Sequence, residues 1–145
     1  MKGSTLARRF RAWTPADYAV LVETIVLASL VELALNVLPL VAIIRLQERA
    51  GRGRDRDIDT ADAARLARFA AAPYRVPGWR GSCLRESLVL ATLLRRRGLP
   101  ARVCFGVDRG GPAITAHAWV AVADGPIGDG HMRFHELVPV RAWSA

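Results

Sequence analysis

Residues 82–100 are the most clearly punctuated segment of the chain. Ser82 is a residue type that caps helix N-termini, and Cys83 takes the first helical position. Leu84, Leu88, Ala91 and Leu94 then recur at helical spacing. Arg95-Arg96-Arg97 fill the last turn, Gly98 supplies the C-terminal turn, and Pro100 blocks continuation. Beyond Pro100 the pattern changes. Ala101 to Val107, Ala113 to Val122 and a weaker run around Arg133 to Val138 read as strands, with turn signals at Asp108 to Pro112 and Asp124 to Pro126. A helix followed by short strands joined by tight turns predicts an α+β fold, in which the helix packs on a small antiparallel sheet.

The N-terminal half reads differently. Thr14-Pro15-Ala16-Asp17 is a helix start: Thr14 caps, Pro15 suits the first position, and Asp17 faces the positive end of the dipole. Tyr18 to Leu38 is mostly apolar, Pro39 ends or kinks the helix, and apolar residues resume to Ile44. The stretch is long enough to cross a membrane. Glu23 and Glu32 oppose that, at about 2.5 kcal/mol or more each on insertion scales. On a helical wheel Asp17, Thr24, Glu32 and Asn36 share one sector, with Glu23 on the far side. The expectation is an incompletely amphipathic helix with a wide apolar face packed on the protein or on a partner. Membrane association through 18–44 is the less favoured reading. Arg45 to Asp59 reads as a charged connector. Its Gly51-Arg52-Gly53 is not a dinucleotide loop, because Arg56 stands at the third glycine position and no strand precedes it. Asp59 or Thr60 caps a short helix, Ala61 to Ala71, closed by Pro73. This divides the chain into an N-terminal helical segment and connector, 1–75, and a core, 76–145.

The chemistry-bearing residues lie in the second part. A thiolate, not a thiol, attacks a carbonyl, and the first turn of a helix presents free N–H groups and partial positive charge that stabilise one. That favours Cys83 over Cys104, which sits in a strand-like run and reads as a small buried apolar residue. A histidine must take the thiol proton and return it to the leaving amine. His117 lies on the second strand and alternates with Trp119 and Ala121. A third group orients the imidazole. Asp129 follows the next turn and is preferred to Asp124, which falls in the turn itself. Cys83, His117 and Asp129 are therefore the expected catalytic set, with the Cys83 N–H as one oxyanion donor. Zinc held by Cys83, His131 and His135 is a poor alternative, since no thiol pair supports it. No metal or cofactor is expected. There is no G-x-x-x-x-G-K-[ST] loop, hence no nucleotide site of the chain's own.

Cys83-Leu84-Arg85-Glu86-Ser87-Leu88, Leu93-Leu94-Arg95-Arg96-Arg97-Gly98, Phe105-Gly106-Val107, His117-Ala118-Trp119-Val120 and Asp129 together resemble the transglutaminase-like leader peptidases of lasso-peptide biosynthesis. The resemblance is close over residues 75–140. Ala121 departs from it, where an acidic residue is common in the wider superfamily. The resemblance implies a transglutaminase-like, papain-like core. It also implies a cysteine peptidase that cuts the leader from a ribosomally made precursor, typically after a leader whose penultimate residue is threonine. A separate ATP-using cyclase would then close the ring. Leader binding in such pathways falls to a small winged-helix domain, for which residues 1–75 lack strands. A separate recognition chain is the expected partner, beside the precursor and the cyclase. An acyl transferase with the same triad, or a membrane-associated scaffold in which Cys83 is structural, are the competing readings.

The net charge of +8 comes almost wholly from arginine, Lys2 being the lone lysine. It favours acidic partners. The arginines are scattered without interleaved aromatics, so nucleic acid is not an expected partner. With two cysteines and no C-x-x-C, no redox pair is signalled, and a cytoplasmic location is expected.

Overall fold

The computed structural model describes residues 13–50, 59–78, 82–123, 125–127 and 134–136. Among the described residues four helices come first: α1 Pro15–Val37, α2 Leu40–Ala50, α3 Thr60–Ala71 and α4 Cys83–Arg96, with a 3-10 turn Pro73–Arg75 before α4. The strands follow: β1 Arg102–Asp108, β2 Thr115–Val122, β3 Gly125–Pro126 and β4 His135–Glu136. They form one antiparallel sheet in the order β3-β2-β1-β4. This is the α+β arrangement expected, a helix on a small antiparallel sheet.

The caps form as their residue types dictate. Thr14 and Asp17 make a reciprocal capping box at α1: Asp17 N–H donates to Thr14 Oγ1 (3.3 Å), and Thr14 N–H donates to Asp17 Oδ2 (2.8 Å). Asp59 caps α3 and Ser82 caps α4. Gly98, at φ +88°, supplies the left-handed residue after α4.

The core is built around α4. Leu88, Val89, Ala91, Leu93 and Leu94 are fully buried, and Ala28 and Val31 of α1, Ile43 and Ile44 of α2, Leu66 of α3 and Val120 of β2 close over them. Burying each large aliphatic side chain contributes about 1.5–3 kcal/mol, so this one helix anchors both halves of the chain.

The structure differs from expectation in three places. The helix α2 continues to Ala50, where a connector from Arg45 was expected. Its residues are good helix formers, and Gln47 Nε2 ties it to α4 by donating to Leu88 O (2.9 Å) and Thr92 Oγ1 (2.7 Å). Second, Gly125 and Pro126, read as a turn, pair with Val122 and Ala121 as a short edge strand, an allowed place for proline. Third, the polar sector of α1 faces inward. Asp17 pairs with Arg65 of α3, Glu32 with Arg85 of α4, and Glu23 with Arg96 (2.7 Å) and Arg97 (2.8 Å). Thr24 is fully buried and donates to Val20 O (2.7 Å). Ala28 and Val31 pack inward beside these groups, and a second apolar sector is exposed, with Asn36 at its margin.

Candidate active site

Cys83 is the first residue of α4 and is half-buried. Its position is fixed from both sides. Ser82, in extended backbone before it (φ −147°, ψ 151°), accepts the Arg85 N–H on its Oγ (3.2 Å). The Arg85 guanidinium reaches Ser82 Oγ through Nη1 (3.4 Å) and pairs with Glu32 of α1. The first helical turn is thus capped and tethered to a neighbouring helix. Glu86 lies one turn further on; burial pushes its carboxyl up against the opposing charge of Arg75. Tyr74 lies in the same region, its hydroxyl pushed up to about 12 by burial and by the Glu32 charge.

His117 is positioned by the sheet. After α4 the turn to Ala101 is short and held by Leu99 N–H to Leu94 O (3.1 Å) and Arg95 Nε to Ala101 O (2.6 Å). It leads directly into β1, whose far end pairs with the start of β2. His117 is the third residue of β2 and stands opposite Gly106.

Strand alternation sets the faces. Val103, Phe105 and Val120 pack in the core with α4. Cys104, Trp119 and Ala121 form a second buried cluster on the other face, with Phe134 against it. The half-buried His117 belongs to that second face. Its ring stacks on Phe134 at 4.7 Å between centroids and on Trp119 at 6.1 Å. Among the described residues no hydrogen bond joins Cys83 to His117; Cys83 opens the helix that packs on the core face of the sheet, and His117 lies on the opposite face. Asp129, its rival Asp124, and His131 lie outside the described residues. His135 is exposed on β4, paired with Val107.

Cys104 is a packing residue. It is 4% exposed, and burial together with a hydrogen bond to Glu136 pushes its thiol up to about 11. A thiol with that value is protonated at neutral pH and a poor nucleophile.

Three residues shape this region beyond those expected to. Glu32 reaches Arg85 from 53 positions away, Phe134 supplies a stacking face to His117, and Gly106 makes room for Trp119. Only Gly106 had a visible marker, a glycine inside a strand pattern, which signals close approach of another group.

The family model described as the transglutaminase-like superfamily matches residues 25–142. No curated protein and no solved structure gave a match. The matched span runs from within α1 through all four strands and takes in Cys83, His117 and Asp129, so the chain belongs to the transglutaminase-like superfamily.

Proposed function

We propose that the chain is a cysteine peptidase that removes the leader from a ribosomally synthesised lasso precursor peptide, before a separate ATP-dependent cyclase closes the ring. The superfamily fold is of the cysteine protease and acyltransferase type. The observation that carries the reading is the placement of Cys83 at the capped N-terminus of α4, within a superfamily match that also takes in His117 and Asp129.

In the proposed mechanism His117 takes the Cys83 proton and the thiolate adds to the carbonyl at the leader–core junction. The helix N-terminus, including the Cys83 N–H, stabilises the developing oxyanion. His117 then gives its proton to the departing core amine as the C–N bond breaks. A water molecule, deprotonated by His117, adds to the acyl-enzyme, and the leader leaves as a carboxylic acid while Cys83 regains its proton. Asp129 holds the imidazole in the required tautomer. The winged-helix recognition chain presents the leader, and the freed amine becomes the cyclase's substrate.

Incubation with precursor and recognition chain, read by mass, tests this. Free leader and free core are expected from the wild type and none from Cys83→Ala or His117→Ala. Cleavage surviving in Cys83→Ala would overturn the mechanism. Leader captured by an added amine in preference to water would instead assign acyl transfer.

A further inference from the structure

The helix α1 is apolar on two sides: Ala28 and Val31 pack inward, and a second apolar sector faces outward. All three of its carboxylates turn inward to arginines of α3 and α4. The outer sector carries Tyr18, Val22, Val26, Leu30, Leu33 and Val37, which are 46% to 66% exposed. The polar residues within that sector direct their donors to the helix's own carbonyls: Ser29 Oγ to Ile25 O (2.9 Å) and Asn36 Nδ2 to Glu32 O (2.7 Å). The result is an outward surface about six turns long with no charge and its side-chain donors internally satisfied. Contiguous apolar surface of that kind marks an interaction site.

The helix is long and apolar enough to span a bilayer, with a mean hydropathy of 2.0, yet only 17% of that window is buried inside the protein. A span is disfavoured by its inner face. Inserting α1 across a membrane would strip Glu23 and Glu32 of Arg96, Arg97 and Arg85 and carry them into hydrocarbon. A helix lying in the plane of the surface keeps every one of those pairs.

Charge identifies the occupant. The sequence just before α1 carries Lys2, Arg8, Arg9 and Arg11, and α2 exposes Arg45 and Arg49 around the exposed Leu46. A second copy would bring two chains of net charge +8 together, whereas an anionic surface is complementary to the basic residues that precede and follow the helix in the chain. We propose that the outer face of α1 docks flat on an anionic lipid surface as a peripheral, in-plane helix. The inference stands apart from the proposed peptidase activity, since it uses none of the residues at the Cys83 end.

Sedimentation of the full chain with vesicles of phosphatidylcholine alone, and of phosphatidylcholine with phosphatidylglycerol, tests it. Binding is expected to the anionic vesicles, weakening about ten-fold or more between 0.1 and 0.5 M salt and released by alkaline carbonate. The double variant Val22→Asp/Leu30→Asp is expected to lose about ten-fold or more in vesicle affinity while keeping its circular dichroism and the alkylation rate of Cys83. Because an outer-face carboxylate pair can disturb folding, Arg45→Glu/Arg49→Glu serves as a second variant; both positions are exposed, and the same loss is expected on anionic vesicles. Four results would overturn the proposal: no binding to anionic vesicles, binding unaltered in folded variants, retention after carbonate (a true span), or a dimer by light scattering that disappears with Val22→Asp/Leu30→Asp (a second copy on the face). Equal binding to uncharged vesicles would refute the assignment to an anionic surface.

Discussion

Gly106 lies directly beneath the ring of Trp119. A Cβ at that position would stand 2.8 Å from both Cη2 and Cζ3 of the indole and 2.9 Å from the His135 carbonyl oxygen. The indole can cross β1 only because the strand has no side chain there. His117, two residues before Trp119 and paired with Gly106, depends on the same gap. Gly106→Ala is therefore expected to destabilise the protein by about 1–3 kcal/mol, the usual cost of overpacking. It should also displace the His117 ring from its stack. Denaturant unfolding gives the first quantity, and the imidazole proton shifts by NMR give the second. An unchanged midpoint in the alanine variant would mean that Trp119 does not occupy this position.

The two cysteines should separate cleanly in a labelling experiment. Cys104 is buried with its thiol pushed up to about 11, chiefly by burial, whereas Cys83 is half-buried at a helix N-terminus. Native protein treated with iodoacetamide at neutral pH is expected to gain one adduct, on Cys83, with Cys104 reacting only after unfolding. Peptide mapping reads the site directly. Comparable native rates at the two positions would remove the argument that Cys104 is a packing residue.

The acid limb of stability should carry the mark of Asp17. Its hydrogen bond from Arg65, with those from Thr14, holds the carboxyl at about 2, below its ordinary value of 3.8. A depressed carboxyl contributes stability that is present above the unfolded value and lost as pH falls through the folded one. The contribution of Asp17 should therefore be complete above about pH 4 and fade between about 4 and 2. Asp17→Asn should flatten that part of the profile and leave its shape near neutrality unchanged. Thermal midpoints measured from pH 2 to 7 would show this; a parallel loss of slope in both proteins would assign it to other carboxylates.

Local signals were legible in the sequence where a residue type has one dominant structural use. Thr14-Pro15-x-Asp17, Ser82 and Gly98 marked helix ends, and alternation after Pro100 marked β1 and β2. The orientation of α1 was not legible, because its wheel shows two sectors without saying which is inside. That choice rests on Arg65, Arg85, Arg96 and Arg97, which lie 48 to 74 positions away in the chain. An acidic sector ordinarily faces water; here clustered arginines on α3 and α4 draw it inward. The start and end of α4 were legible for a related reason: cap, helix and turn are consecutive, and each is marked by a local residue type. The stacking of His117 on Phe134 was not, since that pairing crosses the sheet's outer face between residues 17 positions apart in different strands' surroundings.

The first turn of α4 joins stability to reactivity, and Ser82 is where the two can be measured together. Its hydroxyl oxygen accepts the Arg85 N–H and is approached by the Arg85 guanidinium, which in turn holds Glu32. Ser82→Ala removes the acceptor and is expected to cost about 1 kcal/mol, the common value for losing a cap. It should also allow the first turn to fray, turning away the N–H groups that favour a Cys83 thiolate. The alkylation rate of Cys83 near neutral pH is then expected to fall about two- to ten-fold. Arg85→Met keeps the Ser82 cap but releases Glu32, so it should lower stability while leaving that rate nearer the wild-type value. Equal slowing in both variants would show that the tether to α1, rather than the cap, sets the reactivity of Cys83.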